Sequence, residues 1–177
     1  MNECSVDNCT DLLIQQNTNN GSAFFYSLWA EYKVGFNDSR GNYWLGNDLL
    51  SQLTLTGRYK LRFDLQSRSN TSNWYSAEYS MFIVQPESSN YRLHVSGYSG
   101  NASRDSFSAH NGRMFTTFDR DNDRYSPRNC AAHYNGAFWY FNCVSDCCVS
   151  VNGFLFYWRG QPGGDFLQSS RMWLQCK

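Results

Sequence analysis

Three stretches near the middle of the chain alternate apolar with polar residues, at residues 59–65, 74–84 and 91–95. Successive side chains of a β-strand point to opposite faces of the sheet, so this alternation predicts strands with one face buried. Pro86 opens residues 86–90, which separate the second stretch from the third and are predicted to form a turn. The chain is therefore predicted to build its core on a sheet.

Two short helices are predicted ahead of these strands. Apolar residues between Phe24 and Tyr32 recur at the spacing of one helical face, which ends near Gly35. Asn47 can cap a second helix that extends to Leu53, with an acidic residue in its first turn. Three leucines of this second helix are predicted to face the core: Leu49, Leu50 and Leu53.

The chain is 177 residues long, which predicts one domain with a substantial core. Residues 1–12 show no periodic pattern and are interpreted as an irregular lead-in, so that the domain itself covers residues 13–177. Its sheet and helices are expected at about residues 13–96. Gly, Asn, Ser, Asp and Arg dominate residues 97–177, where we expect a loop-rich binding lobe with little regular structure.

Composition excludes several classes of function. Lys and Arg number 15, as do Asp and Glu, so the formal net charge is zero and nucleic acid is not an expected partner. No apolar run approaches the roughly 18 residues of a membrane span, so none is expected. Residues 97–101 lack the last glycine of a nucleophile elbow, and no histidine belongs to an HExxH pattern. We therefore expect a binding module and not an enzyme.

Seven cysteines indicate an oxidising compartment, where bridges stabilise loop-rich regions: Cys4, Cys9, Cys130, Cys143, Cys147, Cys148 and Cys176. An odd number leaves at least one thiol free or paired with another chain. Acceptor motifs for N-glycosylation occur at five asparagines: Asn8, Asn20, Asn37, Asn70 and Asn101. The chain begins without a basic and apolar leader, so we expect a secreted protein whose leader and upstream sequence lie outside this chain.

Three aspartates alternate with other residues in the segment 118–123: Asp119, Asp121 and Asp123. Carboxylates at this spacing can converge on a hard cation such as Ca²⁺, which takes about six to eight oxygen ligands. The segment is not an EF-hand, because Arg124 replaces the required Gly and Cys130 the required Glu. The alternative is a solvated turn in which neighbouring arginines neutralise the acids: Arg120, Arg124 and Arg128. The residues alone leave both interpretations open.

Cys130 and Cys143 enclose an aromatic-rich segment directly after this acidic turn. A disulfide between them would close a loop of about 14 residues, which is worth about 3 kcal/mol in the chain-entropy model. A competing interpretation is a zinc site built from nearby sulfur and imidazole ligands: Cys130, His133, Cys143 and Cys147 or Cys148. The spacing Cys-x2-His-x9-Cys-x3-Cys matches no strong zinc pattern, and zinc would fit only an intracellular chain.

Five segments, taken in order, resemble the fibrinogen C-terminal domain family, also called the fibrinogen-related domain. They are FFYSLWAEYKVGF (24–36), YWLGND (43–48), GRYKLRFDL (57–65), FTTFDRDND (115–123) and NCAAHYNGAFWYFNC (129–143). The resemblance covers about nine-tenths of the chain, and its most specific part is the alternating aspartates followed by Asn-Cys-Ala and Gly-x-x-Trp-Tyr. It implies an α+β fold with a central, twisted, mainly antiparallel sheet, a few short helices and a loop-rich C-terminal lobe. The family domain normally begins with a further subdomain, whereas only Met1 to Thr10 precede the matching region in the given sequence.

The resemblance also implies a calcium site in the acidic turn. Family carboxylates that match Asp121 and Asp123 hold the ion. Backbone carbonyls two and four residues past the second carboxylate complete the site, which places them near Tyr125 and Pro127. Asp119 is expected to contribute less directly, for example through a water molecule.

A disulfide between Cys130 and Cys143 is a further implication of the resemblance. Lectin-like members of the family have a cis peptide before the second cysteine, which corresponds to Asn142–Cys143 here and turns an amide N–H toward an acetyl group. Three aromatic residues are candidates for the cup that receives the acetyl methyl group: Tyr134, Trp139 and Tyr140. Core packing is the alternative for Trp139. Val144 stands where these lectins commonly carry a histidine, which puts the pocket in doubt.

Three functional hypotheses follow. The first is an extracellular, calcium-dependent recognition module that binds acetylated sugars or related glycans in innate defence. The second is a protein-binding ligand of the angiopoietin or fibrinogen type, with a receptor or matrix protein as its partner. The third is a zinc-stabilised intracellular domain. An oligomer could form through upstream sequence or an unpaired cysteine.

Overall fold

The structure is a computed structural model that describes residues 9–19, 23–102, 104–143, 149–153, 156–160, 164 and 166–177. The strands of these ranges are β1 (Leu12–Asn17), β2 (Phe36–Asn37), β3 (Tyr43–Trp44), β4 (Tyr59–Ser67), β5 (Trp74–Val84), β6 (Leu93–Gly100), β7 (Val149–Ser150), β8 (Tyr157–Trp158) and β9 (Leu167–Cys176). The α-helices are α1 (Trp29–Val34), α2 (Asn47–Thr54) and α3 (Cys130–Tyr134). Two short 3₁₀ helices lie at Glu87–Ser89 and Ser108–His110.

Seven strands form the main sheet in the order β2-β3-β1-β9-β4-β5-β6, and each paired neighbour is antiparallel. A separate two-stranded sheet pairs β7 with β8. A large antiparallel sheet with a few short helices confirms the predicted α+β fold.

Strands β4 and β5 confirm the alternation read from the sequence. In β4, Leu61, Phe63 and Leu65 are fully buried, and the residues between them are partly exposed. The third predicted strand begins at Leu93 and continues to Gly100, later and longer than its apolar pattern suggested. The predicted turn before it contains the 3₁₀ helix Glu87–Ser89.

Strand β9 contradicts the expectation of little regular structure after residue 97. It lies at the centre of the main sheet, between β1 and β4. Its inward face contains a serine, Ser170, beside the apolar Met172 and Leu174. Ser170 is fully buried because its hydroxyl accepts a hydrogen bond from Gln15 Nε2 at 3.1 Å. A polar residue on the core face interrupts the apolar alternation, so the pattern conceals the strand.

Helix α1 is shorter than predicted. It begins at Trp29, since Phe24 and Phe25 lie in a turn before it. Glu31 Oε2 accepts the N–H of Leu28 at 2.7 Å and so closes the first turn. The helix ends at Gly35, where φ is 94° and a Cβ would collide with the Leu45 carbonyl, so only glycine fits.

Helix α2 is present, but two details of its prediction are wrong. Gly46 occupies the N-cap position, and the Asn47 side chain instead accepts the Trp44 indole N–H at 3.1 Å. Leu50 is buried as predicted, whereas Leu49 is 43% exposed on the outer side of the helix. The Asn47 side chain therefore hydrogen-bonds to Trp44 and does not cap the helix.

The core between the main sheet and the surrounding segments is aromatic. Its largest fully buried side chains are Trp44, Trp139, Trp158, Tyr32, Tyr79, Tyr91, Tyr140, Phe63, Phe82, Phe107, Phe115 and Phe138. Many of these rings meet edge to face, as Phe63 does with Phe107 at 5.0 Å between centroids. The high aromatic content of the sequence is thus largely a property of the core.

A disulfide joins Cys9, just before β1, to Cys176 at the end of β9. The sequence could not assign this pairing. Residues 1–8 of the predicted lead-in, with Cys4, lie outside the described residues, as do Cys147 and Cys148. None of the helices in the described ranges combines the length and apolar character that a membrane-spanning helix requires.

Candidate functional site

The acidic turn is fastened to the core by its central asparagine. The Asn122 side chain donates to the Phe115 carbonyl at 2.8 Å, and its backbone N–H donates to the Thr116 hydroxyl at 3.2 Å. Thr116 in turn forms a β-bridge with Phe138 of the cysteine-bounded loop. These contacts hold Asp121 and Asp123, the neighbours of Asn122, at a fixed position beside that loop.

Asp121 and Asp123 form a pair of adjacent carboxylates. Asp123 accepts the N–H of Tyr125 at 2.7 Å and that of Cys130 at 2.8 Å, while Asp121 accepts the N–H of Asp123 at 3.2 Å. Burial and the neighbouring Asp121 carboxylate raise the pKa of Asp123, although its two backbone hydrogen bonds act in the opposite direction. The backbone therefore holds two carboxylates together at an electrostatic cost that a bound cation would offset.

The neighbouring arginines do not neutralise this pair. Arg120 lies over the Trp29 ring, 4.0 Å from its centroid, and forms an ion pair with Glu87 at 3.6 Å. Arg128 lies 5.9 Å from the centroid of the Tyr125 ring. Within the described part of the chain, the ion pairs involve neither aspartate. The arginine-neutralised turn is therefore not the arrangement in this structure.

Asp119 has a different environment. Its Oδ1 atom accepts the N–H of Trp29, the first residue of α1, at 3.0 Å and the Thr117 hydroxyl at 2.7 Å. Among the described residues, no group of three or more His, Cys, Asp or Glu side chains forms a metal cluster. A cation at this turn would thus have two carboxylates and take its other ligands from backbone carbonyls or water. Such an all-oxygen donor set fits Ca²⁺.

The two carbonyls expected near this pair lie in the segment that leads to α3. The Tyr125 carbonyl accepts the N–H of Arg128 at 3.1 Å, which leaves its second lone pair for another partner. Pro127 is exposed. The calcium assignment of these four residues stays a prediction.

Cys130 and Cys143 form a disulfide, as the resemblance implied. The bond consumes two of the thiolates that the zinc hypothesis requires, so a zinc site with this ligand set is wrong. Asn129 links this loop to the acidic turn, because its Oδ1 caps α3 by accepting the Ala132 N–H at 3.0 Å and its Nδ2 donates to the Thr117 carbonyl at 2.8 Å.

Gly136 lets the cysteine-bounded loop approach the β7 region closely. A Cβ on this residue would overlap the backbone carbonyl of Asn152, which is why no larger residue fits. Asn152 is itself tied to the main sheet, since its Oδ1 accepts from Gln15 Nε2 at 2.9 Å. The glycine of the Gly-x-x-Trp-Tyr motif thus has a packing role.

The three aromatic residues predicted to form an acetyl cup have unequal positions. Trp139 is 0% and Tyr140 1% exposed, and the Trp139 indole donates to the Tyr91 carbonyl at 2.7 Å. The Tyr140 hydroxyl donates to the Gly136 carbonyl at 3.2 Å. Tyr134 is half-buried, with its ring centroid 6.1 Å from that of Tyr140. Two of the three rings therefore pack in the core, and the cup stays a prediction.

The cis peptide expected at Asn142–Cys143 is not found. Asn142 is exposed, and the peptide bond to Cys143 is trans. Cys143 instead has a left-handed backbone conformation, with a φ of 50°. Val144, the other residue that bears on this pocket, lies outside the described residues.

His110 connects the loop to β7, a role that sequence reasoning missed. Its Nδ1 lies 2.8 Å from the Trp139 carbonyl, and its Nε2 accepts the N–H of Val149 at 3.2 Å. These partners define a neutral imidazole with its proton on Nδ1. Burial, together with a smaller effect of the nearby Arg113, lowers the pKa of His110 to about 4, although the hydrogen bond to the Trp139 carbonyl acts in the opposite direction. No local signal marks this histidine in the sequence.

The fold and the site together define a class: a disulfide-stabilised α+β domain in which an acidic turn braces a cystine-closed aromatic loop. The chain belongs to the fibrinogen C-terminal domain family, since the model of "Fibrinogen beta and gamma chains, C-terminal globular domain" matches residues 3–168. This confirms the family that the sequence motifs indicated.

The relatives of the chain include tenascins and a microfibril-associated glycoprotein. Mouse (Mus musculus) tenascin is 48% identical over 124 residues, which is 70% of this chain and 6% of tenascin. Mouse microfibril-associated glycoprotein 4 is 41% identical over 140 residues, or 76% of this chain and 52% of that protein. The chain spans only 6–9% of the length of the tenascins and tenascin-R proteins that it matches.

Solved structures show the same fold. The fibrinogen-like globe domain of human ANGPTL2 has a TM-score of 0.80 at 34% identity, covering 98% of this chain and 83% of that one. Lamprey fibrin D-dimer in complex with the peptide Gly-His-Arg-Pro-amide has a TM-score of 0.72 at 28% identity, covering 92% of this chain and 60% of that one.

Proposed function

We propose that this chain is a protein-recognition module of an extracellular protein, with a matrix or cell-surface protein as its partner. The observation that carries the proposal is the likeness to lamprey fibrin, whose structure holds a short peptide. Likeness to tenascin and to microfibril-associated glycoprotein 4 supports a matrix setting. The two disulfides suit an oxidising, extracellular compartment.

Recognition of acetylated sugars is the weaker alternative. An acetyl cup needs aromatic faces open to the ligand, but Trp139 and Tyr140 are buried in the core. Only Tyr134, of the three candidate rings, reaches the surface. Protein recognition makes no such demand on these rings, because exposed loop residues around them would supply the contacts.

A binding experiment separates these two functions. We expect the labelled domain to bind cell layers that have deposited matrix, and to lose this binding after the layers are treated with trypsin. On a resin with N-acetylated amine groups it should be retained no better than on the same resin with free amines. Retention on the acetylated resin that free acetate releases would instead support the lectin function and contradict the proposal.

We also infer that Asp121 and Asp123 hold Ca²⁺, together with the backbone carbonyls of Tyr125 and Pro127. Support comes from the adjacent carboxylates, which lie outside the ion pairs of the described residues. The ion supplies positive charge that offsets their repulsion. The chain's own residues then hold the turn against the loop, because Asp123 accepts the N–H of Cys130 at 2.8 Å. Calcium in this proposal stabilises the loop and does not touch the partner.

The variant Asp121→Ala tests the calcium site. In the parent protein, millimolar calcium should raise Tm by about 5 °C over chelator, as expected for a ligand near 30–100 times its Kd. The variant should lose this difference. The control Asp11→Ala removes an exposed acid outside the acidic turn and should keep it. If Asp121→Ala responds to calcium like the parent in differential scanning calorimetry, the ion is not bound at this turn.

A further inference from the structure

Three arginines lie together beside the end of the cysteine-bounded loop, and we call Arg92, Arg113 and Arg124 the arginine cluster. The Arg113 guanidinium lies over the Phe141 ring, 3.9 Å from its centroid. The backbone N–H of Arg124 donates to the Phe141 carbonyl at 3.1 Å. Arg92 Nη1 donates to the carbonyl of Gly112, the residue before Arg113, at 2.7 Å. Three separate segments of the chain thus bring their positive charges to one place.

The arginine cluster has no carboxylate partner in the part of the chain that the structure describes. The ion pairs there use other arginines, such as Arg62 with Asp64 at 2.8 Å. The Nε atom of Arg113 is buried and has no hydrogen-bond partner among these residues. Burial lowers the pKa of Arg113, and the charges of Arg124 and Arg92 lower it further. Among the described residues, three mutually repelling cations therefore lie together without a counter-charge.

The position of the cluster favours a binding role over a packing role. Arg124 is exposed, and Arg92 and Arg113 are half-buried, so each of the three side chains is at least partly accessible from the surface. The neighbouring Asn142 is exposed as well. A guanidinium group presents a planar fork of N–H donors that matches the two oxygens of a carboxylate. Several such forks grouped beside one loop suit an acidic group that arrives from outside.

We propose that the arginine cluster binds carboxylate side chains of an acidic segment in the partner protein. This names the chemistry of the partner and rests on the proposed function for the partner being a protein. An acidic segment would relieve the repulsion among the three guanidinium groups when it binds. The peptide in lamprey fibrin contains arginine, so the ligand inferred here has the opposite charge.

The test uses a fluorescent hexaglutamate peptide and the intact domain in chelator, so that calcium has no part in the result. Fluorescence anisotropy should show saturable binding that weakens as salt is raised. Arg124→Gln should weaken binding about tenfold, the effect of losing one charge-assisted contact. Arg58→Gln, which removes an exposed arginine outside the cluster, should leave the affinity unchanged. Hexaglutamine should not bind.

A second readout shows whether the variants act through folding. Since Arg124 is repelled by its neighbours, Arg124→Gln should leave Tm unchanged or raise it slightly. Arg92→Gln should weaken peptide binding in the same way, and serves as the test if Arg124→Gln is poorly folded. Equal weakening by Arg124→Gln and Arg58→Gln would mean a general charge effect and overturn the proposal.

The proposal is also overturned if hexaglutamate does not bind, because the cluster is then not a site for an acidic segment. If hexaglutamate fails but a sulfated disaccharide binds and loses affinity in Arg124→Gln, the site takes sulfated sugars. Trypsin-sensitive binding to cell layers would still support protein recognition in either case, so the two proposals fail independently.

Discussion

Replacing Cys9 and Cys176 together with alanine is expected to lower the free energy of unfolding by about 5 kcal/mol. The disulfide between them spans 167 positions, nearly the whole chain, so it removes much of the conformational freedom of the unfolded state. It also ties the segment that leads into β1 to the end of β9, the central strand. A loss of this size is comparable with the total stability of many domains, and the variant is expected to be partly unfolded at 37 °C.

Urea unfolding at neutral pH measures this loss. The matched control removes the other disulfide with Cys130→Ala and Cys143→Ala, where the sequence separation is 13 and the expected loss about 3 kcal/mol. Removing both members of each pair leaves no new unpaired thiol. The long-range variant should therefore lose about 2 kcal/mol more than the control. A change of less than about 1 kcal/mol for the Cys9 and Cys176 variant would contradict this pairing.

Acid is expected to destabilise the domain through His110. The unfolded chain binds a proton at this histidine near its usual pKa of 6.5, whereas burial keeps the folded side chain neutral down to a pKa of about 4. Its contribution to stability is thus fully present above pH 6.5 and is lost as the pH falls toward 4. The total loss from this one residue is about 3 kcal/mol.

The variant His110→Gln isolates this effect. Glutamine can still donate to the Trp139 carbonyl and accept from the Val149 N–H, but it does not titrate. We expect the variant to be less stable at pH 7 by about 1–2 kcal/mol, because the fit of the imidazole is lost. Between pH 6.5 and 4 its stability should fall by about 3 kcal/mol less than that of the parent. If both proteins show the same pH slope in urea unfolding, the imidazole is not held neutral.

Local pattern predicted β4 and β5 as strands, and in β4 it also predicted the buried face, because Leu61, Phe63 and Leu65 alternate with polar residues. It failed for β9, whose buried face includes Ser170. That serine is tolerated in the core only because Gln15, 155 positions away in sequence, donates to it at 3.1 Å. Strand β9 could be recognised only from contacts that join distant parts of the chain.

In the candidate site, too, some features could be predicted from local sequence and others could not. The alternation of Asp121 and Asp123 marked the acidic turn, and its motif marked the disulfide of the loop that follows. The motif could not show that Trp139 would be buried or that Asp119 would bind the start of α1. These outcomes depend on how the turn and the loop pack against the helices and the core.

The sequence by itself determined the family, the strands with regular alternation, and the place of the acidic turn and the cysteine-bounded loop. Each of these features depends on residues close together in the chain, so it can be read from the periodicity and spacing of the sequence. Only the tertiary structure decided the partner of Cys9, the central position of β9, the neutral state of His110 and the meeting of Arg92, Arg113 and Arg124. Each of these depends on contacts between segments far apart in sequence, which no local period or spacing encodes, and at His110 the resulting burial also keeps the imidazole neutral.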